Sequence, residues 1–220
     1  MKKINNLVST RVMTALVLSA GISVPALAEV SANVGFASEY YYRGVLQKSS
    51  SASAGLDFEQ SGFYAGTWAA DVGDGLEVDL YLGYGLELEN GLSVGVGFTG
   101  YYYTGEFDDT YEEANFSLGW GPVSVGYSVG EYGNFSGPDL DYDFLEVSVE
   151  HNGFYGTYGT FGDDFDGDYV EFGYGTEIGG FDAAVALILS SDELSDQLDS
   201  NGAPTESEAL VFTLGKAFDL

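Results

Sequence analysis

The chain has no cysteine, one histidine, four prolines and only six lysines and arginines in its 220 residues. Without cysteine there is no disulfide framework, so an exported form would be held together by packing and hydrogen bonds alone. The single histidine, His151, lies at the edge of a short turn, and no G-x-S-x-G elbow occurs, so a serine–histidine nucleophile has no basis. Metal-ligand clusters and phosphate-binding glycine loops are absent from the sequence as well. The expectation is therefore no enzyme: no catalytic residues, no cofactor and no metal site. The shortage of bases is sharper than the total suggests. Lys2, Lys3 and Arg11 lie in the first 28 positions, where there is no acid, so beyond them Arg43, Lys48 and Lys216 face 35 acidic residues. Such a balance argues against nucleic acid as a partner and against anionic headgroups bound through a basic patch. Strong acidity can also mean disorder, but 45% hydrophobic and 15% aromatic residues are too many for that. After residue 28 there is also no apolar run long enough for a spanning helix.

The first 28 residues are a different material. Basic residues precede the apolar run Val12 to Val24, and Ala26-Leu27-Ala28 supplies small residues for cleavage. This reads as a secretory signal peptide over 1–28, followed by a single domain over 29–220. The apolar run is shorter than the roughly 20 residues that a transmembrane anchor needs.

What the chain does have is alternation. From Leu76 to Glu89, Leu76, Val78, Leu80, Leu82, Tyr84, Leu86 and Leu88 take every second place against Glu77, Asp79, Tyr81, Gly83, Gly85, Glu87 and Glu89. Unbroken period two marks a β-strand, and this one is far longer than the usual five or six or so residues. Asn90-Gly91 reads as a tight turn into a partner strand with Leu92, Val94, Val96 and Phe98 on its apolar face. About twelve such strands follow one another. Even-numbered strands end in short turns at Gln60-Ser61-Gly62, Asn90-Gly91, Gly121-Pro122, Asn152-Gly153 and Gly179-Gly180. After the first strand comes a loop holding Lys48 and serines, and later odd-numbered strands end in longer acidic segments, such as Gly105 to Glu113 and Ser190 to Glu208. In lipid every backbone polar group must be paired internally. The expected fold is thus all-β: a closed antiparallel transmembrane β-barrel of about 12 strands, with both termini and the short turns on the periplasmic side.

Aromatic residues suggest two interfacial belts, Tyr40 to Tyr42 and Tyr101 to Tyr103 near long connections, and Phe63, Trp120, Phe154, Phe181 and Phe218 near short turns or the carboxyl terminus. Lys216 interrupts the outward apolar phase of the last strand, close enough to its end to snorkel. The polar phase supplies candidate channel-lining residues: Arg43, Asp57, Glu77, Asp79, Glu87, Glu113, Glu146, Glu150 and Glu171. Rings of carboxylates favour cations in pores. Glycines of the same phase, such as Gly83, Gly95, Gly97, Gly126 and Gly173, are open to two readings: a wall cleared to leave a bore, or a wall that bends and tapers. Asp163 to Asp168 resembles half of a calcium loop but lacks the closing glutamate.

Ser38 to Gln47 (SEYYYRGVLQ), Ser61 to Ala70 (SGFYAGTWAA) and Glu77 to Tyr84 (EVDLYLGY) resemble the TorF-type porin family of Gram-negative bacteria. The resemblance covers most of the chain after residue 28 and is most specific between residues 30 and 104. It implies an outer-membrane barrel forming a diffusion channel, with Tyr42-Arg43-Gly44 and Gln47 matching a family element, and it carries over no catalytic residues. Two functional expectations follow. One is a narrow acidic passive channel in the outer membrane, in contact with its lipid and passing small cationic or neutral solutes. The other is a plugged barrel acting as a structural or surface-interaction protein through its acidic outer loops.

Overall fold

The structure, a computed structural model, describes residues 28–220. The expected signal peptide lies, except for Ala28, outside the described residues. Twelve strands form one closed antiparallel barrel in which every strand pairs with its neighbours in sequence and β1 pairs with β12. They are β1 (Glu29–Tyr42), β2 (Val45–Gln60), β3 (Phe63–Gly73), β4 (Gly75–Glu87), β5 (Leu92–Tyr103), β6 (Tyr111–Trp120), β7 (Val123–Tyr132), β8 (Leu140–His151), β9 (Phe154–Asp163), β10 (Asp168–Ile178), β11 (Phe181–Ser190) and β12 (Ser207–Asp219). Closure runs from Ser31↔Asp219 to Ala37↔Thr213. The termini and the short turns share one end, called the lower end below; the upper end carries the longer connections.

Alternation places side chains as the period demands. Leu80, Leu82, Val96, Phe116, Leu118, Phe172, Leu210 and Phe212 are all exposed on the outer wall. An apolar surface that encircles the molecule is stable against lipid rather than water. The lower aromatic belt stands as expected, with Phe63, Trp120, Phe154, Phe181 and Phe218 exposed near the short turns. Lys216 does point outward, and its ammonium lies 4.9 Å from the Phe181 ring centroid and 5.5 Å from that of Phe218. Cation–π contact with interfacial rings is what lets a charge sit in this phase.

Three expectations change. The upper belt is not a belt: Tyr40, Tyr42, Tyr101 and Tyr103 have their hydroxyls on one another or on inward carboxylates. Their strands continue past the apolar band, so the aromatic phase there is the inner one. Nor does a loop follow the first strand. β1 and β2 remain paired up to Tyr42↔Val45, joined by Arg43 and Gly44 at φ of 47° and 81°, the double left-handed turn that suits a two-residue hairpin. Finally, β4 stops at Glu87 instead of Glu89, and residues 88–91 form a four-residue connection closed by a bond from the Gly91 amide to the Leu88 carbonyl, 2.9 Å.

Facing can be read from stability. Leu82→Arg or Val96→Arg should cost about 2 to 4 kcal/mol near the bilayer midplane. Gly126 faces inward, where an added Cβ meets nothing nearer than the Glu146 Cβ at 3.9 Å. Gly126→Ser should therefore leave the urea unfolding midpoint in lipid vesicles almost unchanged, and equal losses at the two kinds of site would refute the assignment of faces.

Candidate functional site

Inside the upper half the lumen is filled, and the filling is the β1–β2 hairpin. Beyond Ala37↔Thr213 β1 leaves β12, and beyond Ser53↔Ala70 β2 leaves β3. The exposed edges are capped by side chains: Ser38 Oγ accepts from the Phe212 amide at 2.9 Å, and Ser51 Oγ donates to the Asp71 carbonyl at 2.7 Å. The register shift between Tyr40 and Tyr41 leaves Gln47 unmatched. Such a bulge bends a hairpin. The tip then lies across the lumen against strands on the far side of the ring.

Each face of the hairpin meets a wall suited to it. Tyr41 and Val45 pack on a small apolar cluster of Phe144, Tyr169, Ile188, Ala209, Val211 and Leu194, the last from a 3-10 turn at Asp192–Leu194 in the β11–β12 connection. Gly44 fits closely under Tyr169, where a Cβ would overlap the ring, and its carbonyl accepts from Ser190 Oγ at 2.6 Å. Opposite this, Arg43 forks onto Glu113, with Nη1 to Oε2 at 2.8 Å and Nη2 to Oε1 at 2.9 Å, while Nη2 also reaches Ser128 Oγ at 3.1 Å. Glu113 further accepts from Tyr101 Oη at 2.8 Å, Tyr142 Oη at 2.9 Å and Asn115 Nδ2 at 2.7 Å. Arg43 is 8% exposed and Glu113 2%.

Tyrosine hydroxyls serve the other inward carboxylates too. Glu77 accepts from Tyr40 at 2.5 Å and Tyr103 at 3.2 Å, Glu146 from Tyr169 at 2.9 Å, Glu171 from Tyr155 at 2.6 Å, and Asp57 from Tyr81 and from Asn33 Nδ2. Asp79, 3% exposed, keeps its Oδ1 without a hydrogen-bond partner. Tyrosine rings, most of them carrying these hydroxyls, pass close over inward glycines. A Cβ on Gly83 or Gly97 would run into Tyr64, one on Gly66 into Tyr81, one on Gly130 into Tyr142 and one on Gly173 into Tyr155. These glycines make room for rings rather than for a bore, whereas Gly126 has no ring over it.

Of the nine candidate lining residues, Arg43, Glu77, Asp79, Glu113, Glu146 and Glu171 are buried around the hairpin, Asp57 is half-buried below it, and Glu87 and Glu150 are exposed near the lower end. Beside the hairpin lies a small crevice of about 30 Å³ that includes Glu39, Tyr40, Tyr41, Tyr155, Glu171 and Ile188 in its lining. Asp163 to Asp168 is anchored by Phe165, which stacks on Tyr142 with ring centroids 5.1 Å apart. Among the described residues no group of three or more His, Cys, Asp or Glu is arranged to hold a metal ion. In the β11–β12 connection the amides of Ala203 and Asn201 hold the Asp199 carboxyl below the usual carboxylate range.

The apolar half of this packing was missed from sequence, although a signal was present. Residues 183–189 read AAVALIL, apolar on both faces, and Ala209 and Val211 continue the same inner surface. A strand apolar on both sides is covered on both sides, and here the inner cover is the hairpin.

Wall, hairpin and inward carboxylates together define a small membrane β-barrel whose upper lumen is occupied by its own first hairpin. The chain belongs to the Gcw_chp family, described as a bacterial protein of unknown function, whose model matches residues 23–200. No curated protein matches. Among solved structures it is similar to a barrel from work titled for the in-meso crystallization of membrane proteins, with TM-score 0.55, 9% identity, and 87% of this chain and 84% of that one covered. It is also similar to Pseudomonas aeruginosa OccD3 (TM-score 0.41, 13% identity, 88% of this chain and 65% of that one) and to Acinetobacter baumannii OccAB3 (0.43, 13%, 90% and 66%). The chain spans just under two thirds of the length of these last two.

The Arg43–Glu113 pair lends itself to a double-mutant cycle. Arg43→Met should cost about 3 to 5 kcal/mol, because it strands a buried carboxylate. Arg43→Met with Glu113→Gln should cost less than the two single changes added, with a coupling of about 1 to 3 kcal/mol by urea unfolding in vesicles. Strict additivity would show that the pair does not hold the hairpin.

Proposed function

We propose that this protein is a porin-like channel of the outer membrane, narrowed in its outer half by the β1–β2 hairpin and selective for small cationic or neutral solutes. The observation that carries the reading is an acidic, hydrogen-bonding lumen inside a lipid-facing wall, with a hairpin that shares no strand pairing with the wall beyond Ala37 and Ser53. The upper end then faces the cell exterior and the lower end the periplasm, where short turns belong. The resemblance to TorF-type porins agrees with it. A plugged barrel working through its surface loops is the second reading, favoured by the burial of Glu77, Glu113 and Glu171 beneath the hairpin. Negative charge in a low-dielectric tube raises the local cation concentration, and salt screens the effect, since the Debye length falls from about 10 Å at 0.1 M to about 3 Å at 1 M.

Planar bilayers discriminate between these readings. Wild type should give small unitary conductance, and replacing residues 39–48 with a two-residue turn should raise it several-fold. Reversal potentials under a salt gradient should show cation preference that declines as salt rises and is reduced by Glu87→Gln with Glu150→Gln, two exposed acids outside the hairpin network. A shortened variant that is folded yet silent would favour the plugged barrel.

A further inference from the structure

Arg43 sits on the turn between two strands that have left the wall, yet almost everything its guanidinium touches belongs to the wall. Glu113 comes from β6, Ser128 from β7 and Phe144 from β8, whose ring centroid lies 4.2 Å from the guanidinium carbon. The exception is Tyr42 of its own hairpin, at 5.0 Å. The receptor is held in place by groups other than its occupant. Tyr101, Tyr142 and Asn115 donate to Glu113, and Asn115 also donates to Ser128 Oγ at 3.1 Å while accepting from Thr99 Oγ1 at 2.9 Å. Take the hairpin away and the wall keeps an oriented carboxylate, a hydroxyl and an aromatic face. Those three together match a planar, forked cation that can hydrogen-bond along its edge and stack on its face.

We propose that Glu113, Ser128 and Phe144 form a recognition site for guanidinium-bearing solutes, with Arg43 as its tethered resident, so that a solute taking the fork displaces the hairpin. The proposal rests on the channel reading for its role in transport, though the site itself does not. Chemistry narrows the class. A metal ion would find its carboxylate already surrounded by hydroxyl and amide donors. An ammonium makes a point contact and leaves one oxygen of the fork unmatched. The hairpin can leave because no strand pairing ties it to the wall beyond Ala37 and Ser53. Besides the Arg43 fork, its hold is a set of separate contacts: the Tyr40 and Tyr42 hydroxyls on Glu77 and Tyr101, the Ser190 hydroxyl on the Gly44 carbonyl, the Lys48–Asp71 ion pair, and the apolar packing of Tyr41 and Val45.

The test uses the full-length barrel in detergent, with folding checked by heat-modifiable migration. Arg43→Gln should bind methylguanidinium saturably by calorimetry, at least about tenfold more tightly than methylammonium at equal ionic strength, as expected for the loss of charge-assisted bonds. Adding Glu113→Gln should weaken that binding by at least about tenfold. Wild type should bind more weakly than Arg43→Gln, because its resident arginine competes. Should Arg43→Gln fail to fold, wild type answers instead: methylguanidinium should speed hydrogen exchange at the amides of residues 41–47 and methylammonium should not. Equal responses to the two cations in either assay, or binding that survives Glu113→Gln, would overturn the proposal. Selective binding in a variant that passes no current would establish the site and remove the channel reading instead.

Discussion

Placing Glu77, Asp79, Glu113, Glu146 and Glu171 inside a tube of twelve strands with scarcely a base to match is the constraint around which the upper half of the molecule is arranged. A buried carboxylate is costly unless it is paired or well supplied with donors. Here the donors are mostly tyrosine hydroxyls, and the one cation is delivered by the hairpin to the far wall. Tyrosine suits the task because its ring fills space while its hydroxyl reaches a partner. The ring needs a bed, and on the next strands the bed is glycine. Carboxylate, tyrosine and glycine are thus three parts of one solution.

The same arrangement explains why the hairpin folds inward. Left extended, it would leave Glu113 short of its cation and the apolar inner faces of β8 to β12 open to water. Folded in, Arg43 meets Glu113 while Tyr41 and Val45 cover Ile188, Val211 and their neighbours. Two chemically different walls are satisfied by two faces of one element. Because the lipid side is covered by the bilayer in either position, the balance between the two hairpin positions is decided within the lumen.

Below the hairpin the character changes. Glu87 and Glu150 are exposed there. The barrel is therefore asymmetric along its axis, with exposed acids near the lower end and a packed upper half capped by Tyr111, Tyr132 and Phe165. Passage of any solute depends on that upper half.

The barrel itself was legible in the sequence. Period-two alternation such as Leu76 to Glu87 selects a face for every side chain, tight turns such as Asn152-Gly153 set the lower register, and the absence of any spanning helix after residue 28 leaves closure as the way to pair all backbone groups. These are local rules, and each acts within a strand or a hairpin. The plug was not legible, because the alternation of β1 continues past Ser38 without any mark of where it leaves β12, and Tyr40 and Tyr42 fit a lipid belt by pattern alone. Which way they turn depends on Glu77 and Tyr101, their partners 37 and 59 residues along the chain. Alternation determined the wall because a strand's two faces are a local property; only the closed tertiary structure decided what fills the lumen, because that depends on side chains that meet across it.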